Sequence, residues 1–320
     1  MRDELVCPVC RGDLEWGSRD ARCHGCGSDY PTESAVPVLL PPDERPDDPW
    51  REATSGLEWA LRADADLERR LMGVPAGELA PADRVFRALV LEERGDFTGA
   101  AELAAATEPE VYTAEYRRCR DAQTAEVLDF LADEPGPIVD IASGRCFLVE
   151  RLARRLAAEL VATDVSPTVL ARSRRRLATF GLDERVSFLC FDARRTPFRS
   201  GSIATLTTNL GLANVPRTDA LLAELRRICS GRLVAVTHFF PADDRANFDA
   251  IHALGLERIL LRAPALEAFR TAGWRVEVVS ERCGRAEPTP YGVVLEGASV
   301  DGLPIAPTEL DWVVLEATPS

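Results

Sequence analysis

Two aspartates in the middle of the chain each end a short apolar run, and their spacing indicates a nucleotide-like ligand. Asp140 lies in the run 138–141, which is followed by a turn of small residues around Gly144 and then by leucines at helical spacing. Asp164 ends a second apolar run, which begins at Leu160. This order of strand, turn and helix is typical of an α/β sheet, in which ligands bind at the carboxyl ends of the strands. Asp164 is therefore a candidate to accept hydrogen bonds from two ribose hydroxyls.

Four cysteines near the N-terminus have the spacing of a metal site. Cys7 and Cys10 form one C-x2-C pair, Cys23 and Cys26 form a second, and twelve residues separate the pairs. Two such knuckles hold four thiolates around a single tetrahedral ion, for which zinc is the usual occupant. We therefore predict zinc on these four residues, with rubredoxin-like iron or four unligated structural cysteines as the alternatives. His24 is expected to lie beside the metal without binding it.

Composition excludes some functions and sets expectations for others. The 320 residues allow two domains, 46% of them are apolar, and the net charge is −14. So negative a chain is not expected to wrap a nucleic-acid backbone, and the arginines at 172–176 are expected to form a solvated helix face. Neither a signal-like N-terminal region nor an apolar run of 18 residues is found, so we expect a soluble, cytoplasmic protein that does not contact membranes.

The residues from about 112 to 240 resemble the class I methyltransferases that use S-adenosyl-L-methionine (SAM). The first motif of that family is an acid, one further residue, and then three small residues at alternate positions. Here these are Asp140, Ala142, Gly144 and Cys146. Cysteine is a departure, because a glycine at that position lets the helix start lie close to the strand and the cofactor. We expect Cys146 to be tolerated, with an ordinary helical backbone.

The resemblance implies which residues contact SAM. Asp164 would accept the ribose hydroxyls, Asp192 would accept from the adenine amino group, and the backbone amide of Ala193 would meet a ring nitrogen. Asn209 lies where the methyl group should point. The complete predicted set of cofactor-binding residues is Asp140, Ala142, Gly144, Asp164, Val165, Asp192, Ala193 and Asn209.

Three residues are weak candidates for a catalytic role, and the sequence identifies no catalytic residue beyond them. His238, near the end of the fifth predicted strand, could act as a base near neutral pH or could be a satisfied structural histidine. Tyr116, on the helix before the first strand, could face the acceptor or could simply pack. Asn209 is the third candidate. An acidic nucleophile would need a base, whereas a soft one would not.

The resemblance also implies the fold class, which is α/β. We expect a seven-stranded, mostly parallel sheet with helices on both faces, strand order 3-2-1-4-5-7-6, and an antiparallel seventh strand. After the two strands that end in Asp140 and Asp164, the apolar runs predict the later strands at 186–193, 203–212, 232–240, 274–283 and 311–317.

The chain is expected to have three parts. Residues 1–41 resemble the small zinc-ribbon activator subunit of RNA and protein methyltransferases. Residues 42–109 combine a proline-rich acidic linker with helices that form either a lid over the acceptor or an interdomain layer. Residues 110–320 form the methyltransferase domain, and its segment 284–310 is a candidate acceptor wall.

Three functions remain open on these grounds. The leading interpretation is a SAM-dependent methyltransferase for a small-molecule acceptor, which the net acidity and the helical segment favour. An rRNA or tRNA base is the alternative acceptor, because ribosomal guanine methyltransferases also join an N-terminal zinc module to this fold. A non-catalytic SAM-binding or partner-binding protein is the third, and Cys146 motivates it. The acceptor atom and the oligomeric state are left undetermined.

Overall fold

The computed structural model describes residues 2–42 and 56–320. The described chain forms a seven-stranded sheet flanked by helices, and a separate four-stranded sheet at the N-terminus. The predicted proline-rich linker lies almost wholly outside the described residues, at 43–49. Within the described parts of the chain, no helix has both the length and the apolar character needed to cross a membrane.

The strands follow the predicted order. In the N-terminal sheet they are β1 Leu14–Trp16, β2 Asp20–Cys23, β3 Asp29–Glu33 and β4 Val36–Pro37. In the large sheet they are β5 Ile138–Asp140, β6 Leu160–Asp164, β7 Val186–Cys190, β8 Ile203–Asn209, β9 Cys229–Phe239, β10 Trp274–Ala286 and β11 Thr308–Pro319. The large sheet runs β7-β6-β5-β8-β9-β11-β10, and β11 is antiparallel to both of its neighbours. The predicted fold class and strand order are confirmed.

Helices occupy both the segment before the sheet and the crossovers between strands. The first group is α1 Gly56–Ala63, α2 Ala65–Met72, α3 Pro81–Glu93, α4 Phe97–Val111 and α5 Ala114–Phe130. The second group is α6 Phe147–Arg155, α7 Pro167–Thr179, α8 Thr218–Ile228, α9 Arg245–Ala253, α10 Glu257–Leu260 and α11 Arg262–Thr271. Helix α7 begins at Pro167, because the Ser166 hydroxyl accepts the Val169 amide and Pro167 occupies the first turn.

The N-terminal sheet is joined to the edge of the large sheet by backbone hydrogen bonds. Leu39 N donates to Cys190 O over 2.8 Å, and Val38 forms a parallel bridge to the same residue at the end of β7. Val6 N donates to Pro197 O over 2.7 Å. Apolar side chains from both sheets belong to one continuous buried core, so the N-terminal segment covers an edge that would otherwise present unpaired backbone groups.

The helices before the sheet meet the segment between β10 and β11. Leu61, Leu71 and Val90 form a second, small core, against which Val294 and Leu295 pack. The buried Asp83 carboxylate, on α3, accepts hydrogen bonds from the backbone amides of residues 293–295. The two segments that were candidate covers for an acceptor therefore contact each other directly.

Candidate functional site

Asp140 ends the central strand β5 inside the core. Its side chain is buried, and the Thr207 hydroxyl donates to its Oδ1 over 2.9 Å. Burial raises the pKa of Asp140 to about 7, and the nearby Asp164 carboxylate adds to that effect, while hydrogen bonds from Ser143 and Thr207 oppose it. Both the neutral and the charged form of Asp140 are therefore populated near neutral pH.

The turn after β5 has a left-handed backbone at each of its three small residues. The φ angles are +52° at Ala142, +50° at Gly144 and +59° at Cys146. The expectation of an ordinary helical backbone at Cys146 is therefore wrong, and the reason is that this residue is the N-cap of α6, where the chain turns back sharply. A Cβ placed on Gly144 would meet no atom within 4 Å, so the turn borders open space at the point where the tail of a cofactor would lie.

Asp164 is tied to this turn by its side chain. Its Oδ2 accepts the Gly144 amide and its Oδ1 accepts the Ser166 amide, both over 3.0 Å. The residue is mostly buried, as it ends β6 beside β5. The two acids of neighbouring strands and the glycine turn between them thus lie together at one edge of the sheet, the edge formed by the carboxyl ends of the parallel strands. Val165 follows Asp164, is partly buried and leads into α7.

Asp192 follows β7 at the same edge, next to the buried Ala193. Its carboxylate accepts from the Arg194 amide over 2.8 Å and from Arg194 Nε over 2.9 Å. Burial acts to raise the pKa of Asp192, but these hydrogen bonds and the positive charge of Arg194 outweigh it and lower the pKa. A carboxylate that is charged at neutral pH therefore lies just beyond β7.

The three catalytic candidates lie on neighbouring elements. Asn209 ends β8, and its buried Oδ1 has no hydrogen-bond partner among the described residues. Nδ1 of His238 likewise has no hydrogen-bond partner in the described part of the chain. Burial lowers the pKa of His238 to about 4, which keeps its ring neutral. Tyr116 stacks on Tyr112 and meets Trp312 edge-on.

Sequence reasoning missed Trp312, which lies opposite His238 in the β9–β11 pair. Trp312 is fully buried and its Nε1 has no hydrogen-bond partner in the described part of the chain. The apolar run 311–317 predicted the strand, but nothing in it indicated that the indole would meet His238. The pairing of β9 with β11 brings them together.

The arginines of α7 differ from the predicted solvated face. Arg172 is almost fully buried, and its Nη1 lies 3.6 Å from the Glu93 carboxylate. Glu92, also buried, accepts from Arg145 over 2.6 Å and lies 3.5 Å from Arg176. The expectation fails for Arg172 because α3 covers this side of α7, and the acids of α3 meet the arginines there.

The four N-terminal cysteines converge as the spacing predicted. Their Sγ atoms all lie within 4.8 Å of one another. Cys7 Sγ lies 3.6 Å from Cys26 Sγ, close to the edge of about 3.8 Å expected for a tetrahedron with ~2.3 Å zinc–sulfur bonds. The Val9 amide donates to Cys7 Sγ over 3.3 Å, as expected if that sulfur carries charge. This donor set fits a zinc ion.

The geometry of the sheet edge leads to comparison with known families. Residues 138–231 match a family model described as a methyltransferase domain. The match begins at β5 and takes in the strand ends of β5 to β8. It confirms the methyltransferase domain that the residues around Asp140 had predicted.

Individual relatives match the same part of the chain. The demethylmenaquinone methyltransferase of Thermus thermophilus is 33% identical over 133 residues, which are 41% of this chain and 59% of that protein. The ubiquinone/menaquinone biosynthesis C-methyltransferase UbiE of Dinoroseobacter shibae is 32% identical over 114 residues, 34% of this chain and 46% of that protein. The chain thus spans about half the length of these curated relatives. YcgJ of Bacillus subtilis superposes with a TM-score of 0.49 at 14% identity, over 62% of this chain and 99% of that one.

Proposed function

We propose that this protein is a SAM-dependent methyltransferase that acts on a small organic molecule. The observation that carries the proposal is the arrangement of residues at the carboxyl ends of β5 and β6. There Asp140 and Asp164 flank a left-handed turn, and Gly144 in that turn borders open space while its amide binds Asp164. The match of residues 138–231 to a methyltransferase domain supports the same conclusion.

Each residue of the edge would have a distinct task toward the cofactor. Asp164 would accept the ribose hydroxyls, and the backbone of Ala142 and Gly144 would lie against the methionine tail. Asp192 would accept the adenine amino group in place of one of the contacts that Arg194 makes to its carboxylate. When bound, SAM supplies a methyl group on a positively charged sulfur, so it is already electrophilic. The protein's own part is then to align the acceptor and to exclude water.

A small acceptor fits better than RNA. The net charge of −14 opposes binding to a phosphate backbone. The names of the relatives refer to quinones, which are small molecules. In addition, Asp83 joins α3 to residues 293–295, and these two segments together would cover a small acceptor.

We further propose three functional parts with one metal ion. Residues 1–41 would be a zinc ribbon with zinc on the four clustered cysteines, supported by their close approach. Residues 42–109 would form the linker and the cover. Residues 110–320 would form the methyltransferase domain.

Calorimetric titration with SAM tests the cofactor site. We expect Asp164→Ala to weaken binding at least about tenfold, because charge-assisted hydrogen bonds contribute roughly 1.5–3 kcal/mol each and about 1.4 kcal/mol is one decade. Asp133→Ala is the matched control, because Asp133 is an exposed aspartate in a turn before β5. Equal affinity of the Asp164→Ala variant and the wild type would contradict the site.

Turnover with methyl-labelled SAM separates the possible acceptors. The panel consists of demethylmenaquinol, a tRNA transcript and a ribosomal RNA transcript. Label in the quinol extract alone supports the proposal, and label in RNA would replace the small molecule with a nucleic-acid base. Tight SAM binding without transfer to any of the three, or to an extract of small metabolites, would favour a non-catalytic protein.

A further inference from the structure

A row of aromatic rings crosses the end of strand β9. The rings of Tyr112 and Tyr116 stack with centroids 4.8 Å apart, and Tyr116 meets Trp312 edge-on at 5.0 Å. Trp312 lies 5.1 Å from the ring of His238, which lies 5.5 Å from Phe240. Tyr112, Tyr116 and His238 are partly exposed, whereas Trp312 is fully buried. The row therefore leads from the surface to a buried indole.

Two nitrogens of this row are buried and lack a hydrogen-bond partner among the described residues. They are Nε1 of Trp312 and Nδ1 of His238. Oδ1 of Asn209 is also buried and has no partner among these residues. Such a group costs roughly 1–3 kcal/mol, and most buried polar groups in folded proteins are paired. Trp274, which is buried to a similar degree, donates its indole N–H to Leu222 O over 3.0 Å. The unpaired state of Trp312 is thus not a general feature of tryptophans in this core.

These groups lie beside the strand ends that carry the cofactor site. Asn209 on β8 pairs with Val236 on β9. Val236 lies two residues before His238 on the same strand. His238 pairs with Trp312 across β9 and β11, so the two side chains project from the same face of the sheet. Strand β8 is in turn the neighbour of β5, which ends at Asp140. Asn209, on β8, therefore lies one strand from the cofactor turn, and His238, on β9, lies two strands from it.

We propose that Trp312, His238 and Tyr116 form the pocket for the methyl acceptor, and that this acceptor is a flat conjugated ring that carries an oxygen atom. The inference rests on the proposed function, because it requires SAM on the adjoining strands. The Trp312 indole donates to the oxygen, His238 accepts from a hydroxyl on the ring, and Tyr116 packs against the ring. The ligand approaches from the partly exposed side, between Tyr116 and His238.

Other classes of small molecule satisfy the pocket less well. A saturated apolar molecule would bury surface but leave the nitrogens of Trp312 and His238 unpaired. A strongly charged molecule would meet a neutral imidazole and a neutral phenol, since burial lowers the pKa of His238 and raises that of Tyr116. A neutral aromatic ring with a carbonyl or hydroxyl group supplies both the ring contact and the missing hydrogen bonds.

Binding of 2-naphthol tests the pocket, with naphthalene as the matched ligand of the same shape that lacks the oxygen. Both are titrated into the full chain with S-adenosylhomocysteine present, and binding is followed by NMR. We expect 2-naphthol to bind about tenfold more tightly than naphthalene, as one hydrogen bond to a buried donor implies. Equal affinities for the two ligands would overturn the proposal.

Trp312→Phe and Trp274→Phe separate the pocket from general effects on the core. Trp312→Phe should weaken 2-naphthol binding about fivefold to tenfold, because it removes the N–H but keeps a ring. Trp274→Phe should leave the affinity within about twofold. In urea unfolding, Trp274→Phe should show the lower midpoint, because only there does a carbonyl oxygen, that of Leu222, lose its donor. An unchanged 2-naphthol affinity for Trp312→Phe would contradict the assignment.

His238→Phe provides a second variant if Trp312→Phe does not fold. It removes the unpaired Nδ1 but keeps a ring beside Trp312 and Phe240, and it should weaken 2-naphthol binding about threefold or more. A wild type that binds no S-adenosylhomocysteine would overturn the proposed function itself. Normal S-adenosylhomocysteine binding without 2-naphthol binding would overturn only the pocket.

Discussion

Three residues in the turn after β5 share a left-handed backbone, although only Gly144 is a glycine. A side chain in this region usually costs roughly 1–2 kcal/mol, because its Cβ crowds the carbonyl oxygen that follows. Ala142 and Cys146 both adopt it, with φ of +52° and +59°. Cys146 also buries its thiol completely. The backbone strain at Cys146 therefore lowers the free energy of unfolding, whereas the burial of its side chain raises it.

Replacing Cys146 by glycine should change the free energy of unfolding by less than about 1 kcal/mol, because relief of the left-handed strain offsets the lost thiol contacts. Cys229→Gly is the matched control: Cys229 is equally buried but has φ of −82°. It should lose about 2 kcal/mol, since it combines lost contacts with a freer unfolded chain. Urea unfolding measures both. Equal losses would show that the turn is not strained at Cys146. SAM affinity of Cys146→Gly should stay within about tenfold.

The raised pKa of Asp140 makes stability depend on pH in a defined direction. The folded pKa of about 7 exceeds the value of about 3.9 expected in the unfolded chain, so the folded state binds the proton more tightly. The stabilising contribution of the protonated carboxyl is complete below about pH 4, and it is lost as the pH rises through 7.

Asp140→Asn should remove this dependence, because an amide does not titrate but can still accept from Thr207. We expect the melting temperature of the wild type, relative to that of the variant, to fall between pH 5 and pH 8, as the pKa of about 7 implies. His238 contributes in the opposite sense, through a pKa lowered to about 4, but its contribution is common to both proteins. A constant difference across this pH range would show that Asp140 does not titrate between pH 5 and pH 8 and would contradict the raised pKa.

At the scale of elements, helix α3 is held to the cofactor turn and to α7 by buried charges. Glu92 on α3 lies 2.6 Å from Arg145 in the turn, 3.5 Å from Arg176 and 4.0 Å from Arg172. Burial lowers the pKa of Arg172, yet Glu92 and Glu93 favour its charged form. Removing one partner of such a buried ion pair is destabilising, because the other charge is then left buried without a partner.

Glu92→Gln should destabilise the protein by about 3 kcal/mol, because it removes the carboxylate that three guanidinium groups share and leaves the buried Arg172 with Glu93 alone. Glu102→Gln, on the exposed face of α4, should change stability by less than about 0.5 kcal/mol. Chemical unfolding followed by circular dichroism measures both variants. If the two variants behaved alike, α3 would be held to α7 by apolar contacts and not by charge.

At the scale of the whole molecule, the N-terminal sheet and the large sheet are joined around the loop that follows Asp192. The carbonyl of Pro8, in the first cysteine knuckle, accepts from Arg195 Nε over 2.7 Å. Val6 N donates to Pro197 O, and Leu39 N donates to Cys190 O, at the end of β7. Through these hydrogen bonds, a folded cysteine cluster helps to hold the loop that carries the expected adenine contact.

Metal removal should lower the stability of the whole chain. We expect about one zinc per chain by elemental analysis, and a lower melting temperature after chelation, because four thiolates without an ion repel one another when charged. Cys10→Ser should reproduce the loss. Cys283→Ser should not, since Cys283 is exposed like Cys10 but lies outside the cluster. Metal-free protein with an unchanged melting temperature would contradict the zinc ribbon.

The sequence by itself determined the features that depend on local spacing. Short apolar runs predicted the strands that end in Asp140 and Asp164, and the order of all seven strands followed from the resemblance. The cysteine pairs predicted the cluster, since a C-x2-C knuckle is formed by neighbouring residues. The capped start of α7 was also readable, because Ser166 and Pro167 act on their own helix.

Only the tertiary structure decided the features that depend on contacts between distant segments. The pairing of β9 with β11 brings Trp312 to His238, and no spacing along the chain encodes that register. Arg172 is buried because α3 covers α7, so a pattern that is typical of a solvated face became an interior charge network. The left-handed backbone at Cys146 follows from the sharp entry into α6. In each case the deciding energy belongs to a neighbour that is remote in sequence, which local propensity does not register.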